Sequence, residues 1–228
     1  MIEEAHIAFN AKEYNKALEI YEKLSLDGNV EAQTSLGYMY QNGIGVKSDE
    51  FKAYEFYLSA SAQNQPLACF NLSIIYRDGI EGVQADQFKA YELMEIAAQR
   101  EVPEAMFEVG LMLEHGLGCI QNYSEAAFWY EESAKRSNAK GFNNLGVLYK
   151  DGLGVEHNFE RAFICFSNAA SANIAEAQYN VGLLYDQGLG VEADHEKALE
   201  FCRKAAYNGH EKAKNIIASL QEDGSIIW

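Results

Sequence analysis

The chain has 228 residues, with 18 Lys and Arg against 34 Asp and Glu, and a formal net charge of −16. Such an excess repels a phosphate backbone, which argues against nucleic acid as a partner and favours encounter with a basic protein surface. No window reaches the roughly 18 apolar residues of a membrane span, so no membrane insertion is expected.

Taken in chain order, residues 1–29 place Ala5, Phe9, Tyr14, Ala17, Tyr21 and Leu24 at helical spacing around a short turn at Lys12-Glu13-Tyr14-Asn15. Two short helices are expected there. The first residues are acidic and already in helical register, so they do not read as a secretory leader. From residue 30 one unit recurs. The strings GYMYQNGIGV (37–46), SIIYRDGIEGV (73–83), GLMLEHGLGC (110–119), GVLYKDGLGV (146–155) and GLLYDQGLGV (182–191) are copies, and their first residues step by 36, 37, 36 and 36. A single residue inserted in Ile80-Glu81-Gly82 accounts for the longer step. Two small-residue series keep the same phase: Ala53, Ala90, Ala126, Ala162 and Ala198, then Ala60, Ala97, Ser133, Ala169 and Ala205.

Each of 30–65, 66–102, 103–138, 139–174 and 175–209 therefore predicts a helix, a Gly-rich loop and a second helix. Pro66 and Pro103 fall at first-helix starts, where a missing N–H is harmless. Four residues before each second-helix alanine stand Asp49, Asp86, Asn122, Asn158 and Asp194, residue types that cap helix N-termini. The loop residues Val46, Val83, Ile120, Val155 and Val191 are expected to plug the end of each helix pair. Residues 210–222 repeat the first-helix pattern with more charge, as a terminal cap would. The tail ending in Trp228 is expected to fold back on the last helices or dock on a partner. One domain, 1–228, is the resulting expectation.

The pattern Ala32, Leu36-Gly37, Tyr40, Gly43, Gly45-Val46, Asp49 and Lys52-Ala53 resembles the Sel-one-like repeat, a relative of the tetratricopeptide repeat. The first hairpin, with its shorter turn, is closer to the tetratricopeptide form. Departures from the pattern are Ser73 for Gly, Leu113 for Tyr, and Met94 and Cys202 where other repeats carry Tyr57, Tyr130 or Phe166. The resemblance implies an all-α fold, a right-handed α-solenoid superhelix of stacked antiparallel helix pairs. It further implies a non-catalytic scaffold or adaptor that binds a partner protein or peptide. Some repeat proteins of this kind resemble immunity-type inhibitors of basic toxins, which the acidity also fits. A cysteine-rich branch has been associated with β-lactamase activity, but its regular cysteine pairs are absent here. Cys69, Cys119, Cys165 and Cys202 read instead as reduced, structural thiols, which suits a cytoplasmic setting.

No catalytic or metal-binding constellation is apparent. The five histidines show no ligand spacing, and the repeat Gly-x-Gly lacks the Lys-Ser/Thr of a phosphate loop. No enzyme activity, cofactor or metal is expected. In helical repeats of this type the first helices line a concave groove where peptides bind. Projected from the Gly37-type anchor, the inward-facing candidates are Tyr38, Phe70, Asn71, Phe107, Glu108, Asn143, Asn144, Lys150, Tyr179, Asn180 and Asp186. Asn71, Asn144 and Asn180 share one position, and a side-chain amide both donates and accepts, as clamping a peptide backbone requires.

Overall fold

The computed structural model describes residues 1–222. They form thirteen helices, and among the described residues the only β-type pairing is an isolated bridge between Ile80 and Val83. The helices fall into two compact units, 1–121 and 122–228. Unit 1 holds α1 (Ile2–Asn10), α2 (Tyr14–Leu26), α3 (Val30–Asn42), α4 (Glu50–Ser61), α5 (Pro66–Asp78), α6 (Gln87–Gln99) and α7 (Pro103–His115). Unit 2 holds α8 (Tyr123–Lys135), α9 (Ala139–Asp151), α10 (Phe159–Ser171), α11 (Ala175–Gln187), α12 (His195–Tyr207) and α13 (Glu211–Glu222). Within each unit every helix packs on the next, so hairpins such as α3·α4 and α11·α12 stack in sequence. No described helix is long and apolar enough to cross a membrane.

The repeat chemistry sets the helix limits. The side chains of Asp49, Asp86, Asn122, Asn158 and Asp194 each accept a hydrogen bond from a backbone N–H in the first turn of their helix, at 2.9 Å from Lys52 N in the first case. Caps of this kind stabilise a helix by about 1 kcal/mol each. Pro66 and Pro103 occupy the first turns of α5 and α7. Gly43 ends α3 at φ 66°, ψ 34°, a left-handed turn that costs an L side chain roughly 1–2 kcal/mol. In the second repeat the inserted residue lets Ile80 and Val83 exchange two 3.0 Å hydrogen bonds across Glu81-Gly82, forming a miniature hairpin.

The core follows the small-residue series. Ala53, Ala60, Ala90 and Ala97 in unit 1, with Ala126, Ala162, Ala169 and Ala205 in unit 2, are fully buried. The rings of Tyr57 and Phe166 are also fully buried, each against a first-helix glycine, Gly37 and Gly146. Burying a large apolar side chain contributes about 1.5–3 kcal/mol.

One assignment in the loops needs correction. Ile120, expected to plug its helix pair, is 90% exposed. Counted back from the capping residue, Val46 stands three before Asp49, and three before Asn122 stands Cys119, not Ile120. Cys119 is half-buried, with its thiol donating to Met112 O at 3.5 Å. Ile120 corresponds to the exposed Lys47.

Candidate functional site

In unit 1 the first helices α1, α3, α5 and α7 line a groove of about 530 Å³. Its apolar walls are Phe9, Tyr38, Leu67, Phe70 and Val102, and its polar lining includes His6, Thr34, Ser35, Asn71 and Glu104. The local geometry is well fixed. Phe9 meets Tyr38 edge-on at 6.4 Å between centroids, and the His6 ring lies 5.7 Å from that of Tyr21. Burial pushes the Tyr21 hydroxyl to a higher pKa, partly opposed by its hydrogen bond with Ser35. Thr34 returns its hydroxyl to Val30 O at 2.8 Å. Tyr38 and Leu67 remain 46% and 52% exposed, so the walls are open to an incoming side chain. Asn71, also on this lining, makes no side-chain hydrogen bond to another described residue.

Three of the sequence-derived candidates, Tyr38, Phe70 and Asn71, thus meet in one place. Phe107 and Glu108 are half-buried on α7. Glu108 lies 3.7 Å from Arg77, whose guanidinium also forms a two-point pair with Asp78 at 2.9 and 3.0 Å. That pairing holds the Asp78 carboxyl below its ordinary range.

In unit 2 the corresponding positions are more occupied by the protein itself. The Tyr179 ring stacks on His210 at 4.2 Å, and His210 Nε2 lies 2.9 Å from Glu176. His210 Nδ1 accepts from Ala213 N at 3.2 Å, which leaves Nε2 to carry the proton toward Glu176. Asn180 is buried at 7% exposure. Asn143 donates to Asn144 at 3.3 Å, while its Oδ1 is buried without a partner. Lys150 lies 3.5 Å from Asp151, and Asp186 contacts His195 at 2.9 Å. Tyr179 and Asp186 border a smaller cavity of about 310 Å³ with Leu183, Leu199 and Ile216. Trp228, singled out in the sequence, lies outside the described residues.

Sequence reasoning missed Phe9, Tyr21, Leu67, Val102 and Glu104 as groove residues. A signal for Leu67 was present. The second residue of the first helices reads Glu31, Leu67, Glu104, Lys140, Glu176 and Lys212, and leucine is the one apolar side chain in that series. Among the described residues no group of three or more His, Cys, Asp or Glu converges as a metal site would require. The four cysteines are free thiols.

The Sel1 repeat model matches residues 30–65, 66–101, 103–138, 143–174 and 175–210. A 61-residue stretch is 39% identical to the ERAD-associated E3 ubiquitin-protein ligase component HRD3 of Candida glabrata, covering 27% of this chain and 7% of that protein. Protein sel-1 homolog 2 of the mouse is 32% identical over 73 residues, 32% of this chain and 11% of its own length. The match therefore spans a small part of either curated relative. Among solved structures, a Sel1 repeat protein from Oxalobacter formigenes superposes with a TM-score of 0.85 at 27% identity, covering 96% of this chain and 87% of that one. The c5321 protective antigen of uropathogenic Escherichia coli, which displays an SLR fold, gives 0.83 at 27% identity over 91% of this chain and 44% of its own. With five consecutive matches across most of its length, the chain belongs to the Sel1 repeat family.

Proposed function

We propose that this protein is a non-catalytic interaction scaffold that receives a segment of a partner protein against its first-helix face, with the unit 1 groove as the principal contact. The observation that carries this reading is the groove itself: apolar walls from four first helices, with Tyr38 and Leu67 half-open to solvent beside the unengaged amide of Asn71. Concave apolar surfaces with a few polar groups are the usual form of a binding site. The relative HRD3 is by name a component of a larger ligase assembly, which is consistent with a partner-holding role for these repeats. Of the other candidates, Phe107 and Glu108 on α7 of the same unit would extend the contact. A cytoplasmic adaptor is the setting that the sequence favours.

The test is affinity capture from source extract with the full chain and with Tyr38→Ala and Tyr179→Ala variants, read by mass spectrometry. A partner lost on Tyr38→Ala and retained on Tyr179→Ala supports the reading. A partner retained by both, or none at all, removes it. A second reading, neutralisation of a basic enzyme or toxin, is favoured by the net charge of −16. Capture of a basic enzyme whose activity falls on binding would select it.

A further inference from the structure

We infer that the unit 1 groove selects a peptide segment carrying an apolar anchor side chain next to Lys or Arg; this rests on the scaffold reading above and specifies its ligand. The anchor follows from the walls. Phe9, Tyr38, Leu67 and Phe70 enclose a volume of about 530 Å³ with Asn71, large enough for one aromatic or branched side chain and its backbone. Large apolar anchors seated in such pockets dominate peptide and protein affinity.

The cation follows from the rim. No Lys or Arg contributes to the groove lining, whereas Glu104 does. Leu67 stands at a register position flanked in the neighbouring first helices by Glu31 and Glu104. Both carboxylates are exposed, and neither has an ion-pair partner among the described residues. Each lies in the first turn of its helix, where the helix dipole favours a negative charge without neutralising it. The nearest guanidinium on α5, Arg77, is already held by Asp78 and Glu108. An incoming cation therefore meets carboxylates with no ion-pair partner among the described residues, whereas an acidic segment finds no Lys or Arg in the groove lining. In unit 2 the same register carries Lys140, Glu176 and Lys212, and Glu176 is engaged by His210 at 2.9 Å, so the unengaged acidic edge is particular to unit 1. The Asn71 amide can engage the peptide backbone between anchor and cation.

The test probes the full chain with a random twelve-residue peptide library displayed on phage, then measures selected peptides by fluorescence anisotropy. Enriched peptides are expected to carry an aromatic or branched aliphatic residue within two positions of Lys or Arg. Leu67→Lys should weaken them about tenfold or more, the scale of a lost anchor wall. Glu104→Lys should shift selection toward acidic flanks. Both substitutions copy the residue that Lys140 provides at this exposed position, and melting curves serve as the folding check. Absent enrichment, enrichment of acidic peptides, or peptides indifferent to both substitutions would overturn the inference. The scaffold reading stands or falls separately, on whether extract capture responds to Tyr38→Ala.

Discussion

A Cβ placed on Gly37 would lie 2.5 Å from Cε1 of Tyr57, so the missing side chain on α3 is the slot that the α4 ring occupies. Tyr57 is fully buried there and donates its hydroxyl to Gln41 Oε1 at 2.8 Å. Gly146 and Phe166 repeat the arrangement, at 2.8 Å. The second repeat changes both halves together. Ser73 replaces the glycine and Met94 the aromatic, with Ser73 Oγ 2.6 Å from Phe70 O and 3.7 Å from Met94 Sδ. A flexible thioether yields space that a ring cannot. Gly37→Ser should therefore cost about 1–3 kcal/mol by overpacking. In a Tyr57→Met background the cost should shrink, giving a coupling of about 0.5–3 kcal/mol in a urea double-mutant cycle. Additive free energies would mean that the ring and the glycine are not matched to each other.

A second repeated feature sits after the second helices. Gly28, Asn64, Glu101, Ser137, Asn173 and Gly209 all adopt positive φ, from 55° to 99°. Glycine and asparagine tolerate this conformation; Glu101, at φ 65°, does not do so readily. Glu101→Gly should raise unfolding stability by about 1 kcal/mol, the left-handed penalty less the extra chain entropy of glycine. A thermal or urea midpoint that falls instead would show that the Glu101 side chain makes contacts outweighing its backbone strain.

The loop glycines do more than end helices. A Cβ on Gly154 would lie 2.6 Å from Tyr123 Cβ, and Ser124 Oγ donates to Gly154 O at 2.8 Å. The loop of one repeat thus rests on the second-helix start of the repeat before it, as Gly45 does on Tyr14. Gly154→Ala combines positive φ with that collision, for a loss of roughly 2–4 kcal/mol. Gly28→Ala, with nothing within 4 Å of the new atom, should lose only about 1 kcal/mol. Comparable losses at the two sites, measured by urea unfolding, would count against the stacking role.

Much of this was legible in the sequence because each repeat states its needs locally. Alanine spacing, capping residues and the Leu-Gly pair are properties of one helix pair, and copies in phase reinforce them. The same logic extends to Lys52 over Tyr40 at 5.0 Å, Lys89 over Tyr76 at 5.1 Å and Lys197 over Tyr185 at 5.3 Å. The third repeat lacks both partners of this contact, with Leu113 and Glu125 in their places. The groove was less legible. Tyr38, Phe70 and Asn71 were found by projecting one helix face. Val102 and Glu104 enter at the start of α7, a position set by how helices of successive repeats stack rather than by periodicity within one. The covering of Tyr179 by His210 was hidden for the same reason, since the two are 31 residues apart.

The capping acids predict a pH response. Asp86 and Asp194 have carboxyl pKa values below the ordinary range, first because a backbone N–H of Lys89 or Lys197 donates to them, and further through the lysine side chains. A depressed folded pKa means that the ionised cap stabilises the fold fully above the unfolded aspartate value of about 3.9 and loses that contribution as pH falls through the folded value. Asparagine caps without ionising, as Asn122 and Asn158 do. Asp86→Asn with Asp194→Asn should leave the melting temperature near pH 7 little changed and flatten its decline below pH 4. An unaltered acid limb would assign the response to other carboxylates.

The register correction at Cys119 predicts which thiol reacts. Cys69, Cys165 and Cys202 are buried, and desolvation raises the pKa of each, that of Cys165 to about 11. At pH 8 only about one part in a thousand of a thiol with that pKa is thiolate, the form that attacks a disulfide reagent. Cys119 stands in the loop after α7, half-buried, where its thiol donates to Met112 O at the end of its own helix. Native protein treated with an aromatic disulfide at pH 8 should release one equivalent of chromophore quickly, and the other three only after unfolding in guanidinium. Cys119→Ser should abolish the fast phase and leave the slow one intact. Persistence of the fast phase in that variant would place the accessible thiol elsewhere and undo the assignment of Cys119 to the half-open loop position.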